Sequence, residues 1–153
     1  MSEGENKTPD FLALYQRYQA LKPGPQAELK RVMNPADLIE VPAFYRVLHT
    51  ERAYPSMQRI LFCLPHITNI DGGDSLGRAL AKADINEKRL FMVIRSQEPN
   101  NLIQLRRLLK QANPTLDWQT AAKTLYYWND QAKRQLLEDF FYYQNTQSKA
   151  TAR

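Results

Sequence analysis

The chain has 153 residues, and 43% of them are hydrophobic, which is enough for a packed core and excludes an intrinsically disordered protein. Its net charge of +5 at pH 7 points only weakly to a polyanionic partner, because many basic proteins bind nothing acidic. The single cysteine excludes an intrachain disulfide, and we expect a cytoplasmic protein without membrane contact, since there is no long apolar run and no secretory signal pattern.

Helical signals dominate the first half of the sequence. Thr8-Pro9 has the pattern of an N-cap followed by proline, and apolar residues then recur at helical spacing as far as Leu21. Pro23-Gly24-Pro25 interrupts this pattern, and a second helix is predicted from Ala27 to Met33. The other helices predicted in this half cover 34–39, a segment starting at Pro42, and a strongly apolar segment from Pro55 to Pro65.

The clearest loop of the sequence, Asp71-Gly72-Gly73-Asp74, separates a predicted N-terminal half (8–70) from a C-terminal half (74–145). Polar residues typical of N-caps start most helices of the second half, and segments 1–7 and 146–153 are predicted to be flexible tails. The predicted helices cover 75–83, 86–96, 100–112, 117–128 and about 130–144. Because no segment has a convincing strand pattern, we predict an all-α fold, a compact bundle of about nine or ten short helices in two packed halves.

Basic residues concentrate in segment 74–112, which carries eight bases against four acids and therefore most of the net charge. Three helices of this segment each place two bases on one face, opposite apolar residues. These pairs are Arg78 with Lys82, Lys88 with Arg95, and Arg106 with Lys110. If the helices pack together, their basic sides form one phosphate-binding patch. Spacing alone nevertheless favours solvated surfaces over a binding site, although the excess of arginine over lysine shifts the balance towards phosphate.

The sequence contains no recognisable catalytic or metal-binding constellation, and no cofactor is predicted. The two histidines, His49 and His66, lie on separate segments, and His66 is expected to cap a helix end or to lie at the surface. Cys63 lies among apolar residues and is predicted to belong to the core. The aromatic residues near the C-terminus are expected to pack in the core, with an exposed protein-binding patch as the alternative.

Seven segments, taken in order, resemble one protein family, the CasB family, which is the small subunit of the type I-E CRISPR complex Cascade. They extend over about residues 10–145, and their order is more specific than any one of them. The segments are Val41–Arg46, Arg59–Leu64, Ser75–Ala81, Ile85–Arg89, Gln104–Leu109, Leu116–Trp118 and Gln135–Phe140.

The resemblance implies a non-enzymatic helical subunit of an RNA-guided antiviral complex. Two copies would stack head to tail and bridge the large subunit and the backbone subunits that carry the CRISPR RNA. Their basic surface would bind the displaced non-target strand and stabilise the R-loop. The alternative is a purely structural adaptor whose basic face docks acidic partners without contacting DNA.

Position by position, the resemblance assigns nucleic-acid contacts to basic residues in both halves of the chain. The residues that it implies most directly are Arg31, Arg52, Arg89, Arg95 and Arg107. Further candidates are Arg46, Arg78, Lys88, Arg106, Lys110 and Lys133. Relatives can carry a longer basic loop where this chain has a short link ending in Asp71-Gly72-Gly73-Asp74, so this part of the strand path differs.

Overall fold

The computed structural model describes residues 8–151, with side chains as far as Gln147, so the predicted tail 1–7 and the last residues of the predicted tail 146–153 lie outside it. This part of the chain contains nine α-helices and two 3-10 helices, which confirms the all-α prediction. The α-helices are α1 (Phe11–Ala20), α2 (Pro23–Arg31), α3 (Pro42–Leu48), α4 (Pro55–Cys63), α5 (Leu76–Lys82), α6 (Glu87–Arg95), α7 (Asn100–Ala112), α8 (Trp118–Tyr127) and α9 (Asp130–Thr151). The 3-10 helices are Pro35–Glu40 and Leu64–His66.

Four of the polar residues expected at helix starts act as N-caps. Each side-chain oxygen accepts a hydrogen bond from a backbone N–H of the first turn, where the helix itself offers no acceptor. These residues are Asn34, Ser75, Asn86 and Asp117. Because such caps depend only on residues close in sequence, they fix the helix starts locally.

Three predicted helix bounds are wrong. Asp10, and not Thr8, caps α1, because its carboxylate accepts the Ala13 N–H at 3.0 Å. Helix α2 begins at Pro23, since proline suits a first turn in which no N–H donor is needed. Helix α9 continues beyond Gln144 as far as Thr151.

Two short strands, absent from the sequence prediction, join the two halves of the chain. β1 (Thr68–Asn69) pairs in parallel with β2 (Thr115–Leu116). Strands of two residues are too short to show an alternating pattern, which explains why the sequence did not reveal them. The Asn69 side chain also accepts the backbone N–H of Trp118 at 2.8 Å, so this link is tied to the start of α8.

Helix α4 is at the centre of the hydrophobic core. Four successive residues, Ile60–Cys63, are buried, and the helix packs against α2, α7 and α8 as well as both 3-10 helices. The core prediction for Cys63 is confirmed, and burial raises the pKa of its thiol to about 12. Since the core cluster includes residues from both predicted halves, it is continuous across the 71–74 loop.

Arg59 joins α4 to the end of α8. Its Nε donates to the Leu125 carbonyl at 2.7 Å, its Nη2 to the Tyr126 carbonyl at 2.6 Å, and its Nη1 forms an ion pair with Glu98 at 3.1 Å. The last carbonyls of a helix lack intrahelical donors, and a cation is favourable at that end of the helix dipole. Arg59 therefore satisfies the end of α8 from a neighbouring element.

Helices α5 and α9 approach closely at Gly77. A Cβ at this position would collide with the Leu136 carbonyl and lie 3.0 Å from the Cβ of Asp139. Glycine is therefore required here for the closeness of two helices, and not for a special backbone conformation.

We expect Gly77→Ala to destabilise the protein although alanine is the better helix former. The gain in helix propensity is about 1 kcal/mol, whereas overpacking costs about 1–3 kcal/mol and also forces α9 to move. The change in the free energy of unfolding is measured by urea unfolding.

Gly24→Ala is the control, because a Cβ at Gly24 meets nothing within 4 Å outside its chain neighbours. Helix propensity there is opposed by the following Pro25, and we expect a change within about 0.5 kcal/mol. Equal effects of the two substitutions would contradict the steric argument.

Candidate nucleic-acid interface

Helices α6 and α7 pack together through leucine and valine and leave several bases outside. Leu90 and Val93 of α6 are buried, as are Leu105 and Leu108 of α7. Asn86 caps α6 by accepting the Lys88 and Arg89 N–H groups, which fixes the start of the helix and the directions of its side chains. The apolar stripes thus determine which bases face solvent.

Two neighbouring surface grooves collect these bases. The smaller, about 150 Å³, lies between α6 and α7 and is lined by Arg89, Gln104, Arg107, Leu108 and Met92. The larger, about 450 Å³, runs along α6 and is lined by Glu87, Lys88, Phe91, Met92, Arg95 and Ser96. Met92 borders both grooves and is 55% exposed. We call Lys88, Arg89, Arg95 and Arg107 the α6–α7 basic patch.

The charges of this patch are not neutralised within the described chain. The three ion pairs of the described chain involve only Arg59, Arg78 and Lys82 as cations, and none of these belongs to the patch. Arg89 donates instead to the neutral Gln111 side chain at 2.6 Å, and the Arg95 guanidinium lies 4.9 Å from the centre of the Phe91 ring. All four cations are exposed, so they remain available to an anionic partner.

Helix α5 contributes less free positive charge than the spacing of its two bases suggested. Arg78 and Lys82 do share a face, but both pair with the Asp74 carboxylate at 2.9 Å and lie near the Tyr143 ring of α9. A single acid thus shields both charges, and Arg78 is exposed but already partnered.

The prediction that Arg106 lies on a basic outer face is wrong. Its side chain is 8% exposed, and its guanidinium carbon lies 3.9 Å from the centre of the Phe62 ring. Burial lowers its pKa below the ordinary value. Helix α7 contacts both α4 and α6, so it is covered on more than one side, and Arg106 faces α4. Its neighbour Arg107 faces the groove, since successive helical residues point about 100° apart.

Four other predicted residues lie elsewhere. Arg31, at the end of α2, Arg46 on α3 and Arg52, after α3, are exposed, and Lys133 on α9 is half-buried with its ammonium 5.5 Å from the Trp128 ring. Among the described residues, no hydrogen bond, ion pair or shared groove connects them to the α6–α7 basic patch. Lys110 is exposed on α7 and also lies outside both grooves.

His66 is not the surface or capping residue that the sequence suggested. Its ring is half-buried, and its Nε2 is buried without a hydrogen-bond partner among the described residues. Burial lowers the pKa of His66 to about 4, with smaller effects from the positive charges of Arg106, Lys110 and Lys30. The ring is therefore neutral at pH 7. These surroundings come from three different elements, and no local sequence signal indicates them.

Two further properties concern only the part of the chain that the structure describes. It contains no group of three or more histidine, cysteine, aspartate or glutamate residues placed to bind a metal ion. It also contains no helix with both the length and the hydropathy of a membrane span.

Comparison with known proteins gives concordant matches. A model of the family "CRISPR-associated protein Cse2" matches residues 25–141. The curated "CRISPR system Cascade subunit CasB" of Escherichia coli K12 is 40% identical over an alignment of 147 residues. The match covers 86% of this chain and 92% of that protein. A chain in the crystal structure of E. coli Cascade bound to a PAM-containing double-stranded DNA target superposes with a TM-score of 0.86. That match has 40% identity and covers 92% of this chain and 99% of the other.

We expect the stability of the protein to decrease at mildly acidic pH through His66. Because its pKa is lowered in the folded state, the unfolded chain binds the proton more readily, so this contribution is complete above about pH 6.5 and is lost towards pH 4. Between pH 7 and pH 5 the loss is roughly 1 kcal/mol, after discounting for solvent screening. Chemical unfolding at both pH values should show this loss in the wild type and in His49→Gln but not in His66→Gln. An equal pH dependence in all three would contradict the account of His66.

Proposed function

Because this chain belongs to the CRISPR-associated Cse2 family, we propose that it is a non-catalytic subunit of a Cascade complex that binds the displaced non-target DNA strand and stabilises the R-loop. The observation that carries this proposal is the α6–α7 basic patch, in which four exposed cations from two packed helices form no ion pair with any described residue. The family membership supplies the complex, and the patch supplies the surface for DNA.

The chemistry of the patch suits binding of a DNA strand without recognition of its base sequence. Guanidinium and ammonium groups bind phosphates, and such contacts are independent of base sequence. In RNA-guided complexes the guide reads the sequence by pairing, and R-loop formation is a near-balanced exchange. A few phosphate contacts to the displaced strand are therefore enough to shift the balance towards the open state.

The apolar residues of the grooves complement these charges. Met92 is exposed where the two grooves meet, and the half-buried Phe91 packs against Phe141 of α9 at a ring distance of 5.9 Å. In single-strand binding proteins, bases stack on aromatic side chains beside basic grooves, and Phe91 is the aromatic residue of these two grooves. The patch would thus contact both the phosphate backbone and the bases of single-stranded DNA.

We propose no catalytic step for this subunit. Among the described residues, Glu87 is the single acid that lines the two grooves, and neither groove contains a histidine, a serine–base pair or a cysteine. The partners of this subunit in the complex would be the large subunit, the backbone subunits that carry the CRISPR RNA, and a second copy of the subunit itself. Cutting and unwinding would belong to a separate nuclease-helicase.

A purely structural adaptor is the second candidate, and one feature favours it. A groove of about 550 Å³ between α8 and α9 is bordered by Lys123 and by Tyr127, which is 46% exposed. Exposed tyrosine beside polar side chains is typical of protein interfaces. In this alternative the protein bridges other subunits, and the basic patch contacts their acidic surfaces.

We expect the double variant Arg89→Glu/Arg107→Glu to bind single-stranded DNA more weakly and with a shallower salt dependence. For single strands, the slope of log K against log salt should decrease by about 0.7 for each lost phosphate contact. Both side chains are exposed, so the fold should be retained. In the assembled complex, the same variant should shorten the lifetime of the R-loop, measured by dissociation of a labelled target.

The matched control is Lys22→Glu/Arg134→Glu, which changes the net charge equally at exposed positions before α2 and on α9, outside the patch. Its DNA binding and R-loop lifetime should remain close to those of the wild type. An unchanged R-loop lifetime in the patch variant, or equal losses in both variants, would favour the adaptor.

A further inference from the structure

A second group of cations lies where three elements meet. The 3-10 helix Leu64–His66 packs against both α2 and α7. His66 comes from the 3-10 helix, Arg106 and Lys110 from α7, and Lys30 from α2. Arg106 and Lys110 are one turn apart on α7, and the charges of all three cations lower the pKa of His66, in agreement with the packing of these elements.

Two polar atoms of this cluster are buried without a partner. They are Nη1 of Arg106 and Nε2 of His66, neither of which has a hydrogen bond within the described chain. The Arg106 side chain is more than nine-tenths buried, and the Phe62 ring beside it offers a π-face but no acceptor. Leaving a buried charged donor without an acceptor is costly, so an acceptor that reaches this guanidinium would bind favourably.

No acid of the described residues forms an ion pair with this cluster. The ion pairs of the described residues all involve Asp74 or Glu98, and neither pairs with Arg106, Lys30 or Lys110. Cys63, whose thiol also interacts with Arg106, is fully buried and has its pKa raised to about 12, so it stays neutral. Lys30 and Lys110 are exposed.

We infer that His66, Arg106, Lys110 and Lys30 form a phosphate-binding site, and that its ligand is a phosphodiester of the nucleic-acid backbone. The choice of a backbone phosphate rests on the proposed function. Lys110 lies three residues after Arg107 on α7, so the two side chains emerge close together, and a strand on the patch can reach the cluster by way of Lys110. A guanidinium fork with a lysine matches the geometry of phosphate oxygens.

The two histidines provide a direct test in the full-length, isotope-labelled protein. A phosphate beside His66 favours its protonated form and raises its pKa from about 4. Histidine ring signals are therefore followed by NMR across pH, first with inorganic phosphate and then with a thymidine oligonucleotide. We expect both probes to raise the pKa of His66, while exposed His49 serves as an internal control.

Two variants assign the response to the cluster. Arg106→Met keeps an apolar side chain against Phe62 but removes the donors, and should weaken the His66 response about tenfold or more. Lys110→Gln changes an exposed residue without risk to the core, and should weaken it about threefold. Arg134→Gln, on α9, is the matched control and should leave the response unchanged.

Three results would overturn all or part of the inference. If His66 responds to neither probe while the Arg89→Glu/Arg107→Glu variant still loses oligonucleotide binding, the site is wrong and the proposed function stands. If His66 responds to inorganic phosphate but not to a bound oligonucleotide, the backbone assignment is wrong. If the oligonucleotide does not bind at all, the backbone assignment and the proposed function fail together.

Discussion

The burial of α4 on all sides is the constraint on which the other elements depend. Four successive buried residues, Ile60–Cys63, point in directions about 100° apart, so no face of this end of the helix is left for water. Helices α2, α7 and α8 and both 3-10 helices supply the covering surfaces. Even Arg59, which is polar, is directed inward to the last carbonyls of α8, because the surrounding elements leave those carbonyls within its reach.

The position of α7 between α4 and α6 explains why two adjacent arginines have different environments. Arg106 faces α4 and lies against Phe62, whereas Arg107 faces the groove beside Arg89. The same helix therefore contributes to an exposed patch and to a cationic cluster around the buried Arg106. Its apolar stripe of Leu102, Leu105, Leu108 and Leu109 fixes the rotation that divides these two roles.

Local features were predictable from the sequence, and contacts between distant elements were not. The caps at Ser75 and Asn86 depend on neighbouring residues, and the cations of α6 follow from its amphipathic pattern. The burial of Arg106 and the surroundings of His66 depend on how α2, α4 and α7 pack, which spacing within one helix does not specify. The continuous apolar run in α4 was the one available sign that a helix beside it would be covered on more than one face.

The distribution of ion pairs leaves an electrostatic cost that the proposed nucleic-acid ligand would relieve. The three ion pairs use only Asp74 and Glu98 as acids, so the α6–α7 basic patch and the cluster at His66 have no acidic partner in the described chain. Unpaired cations close together repel one another, and burial increases this cost for Arg106. A polyanion that bound these groups more tightly in the folded arrangement would stabilise that arrangement by mass action. The same uncompensated charge that weakens the isolated subunit is thus what would give it affinity for a nucleic-acid strand.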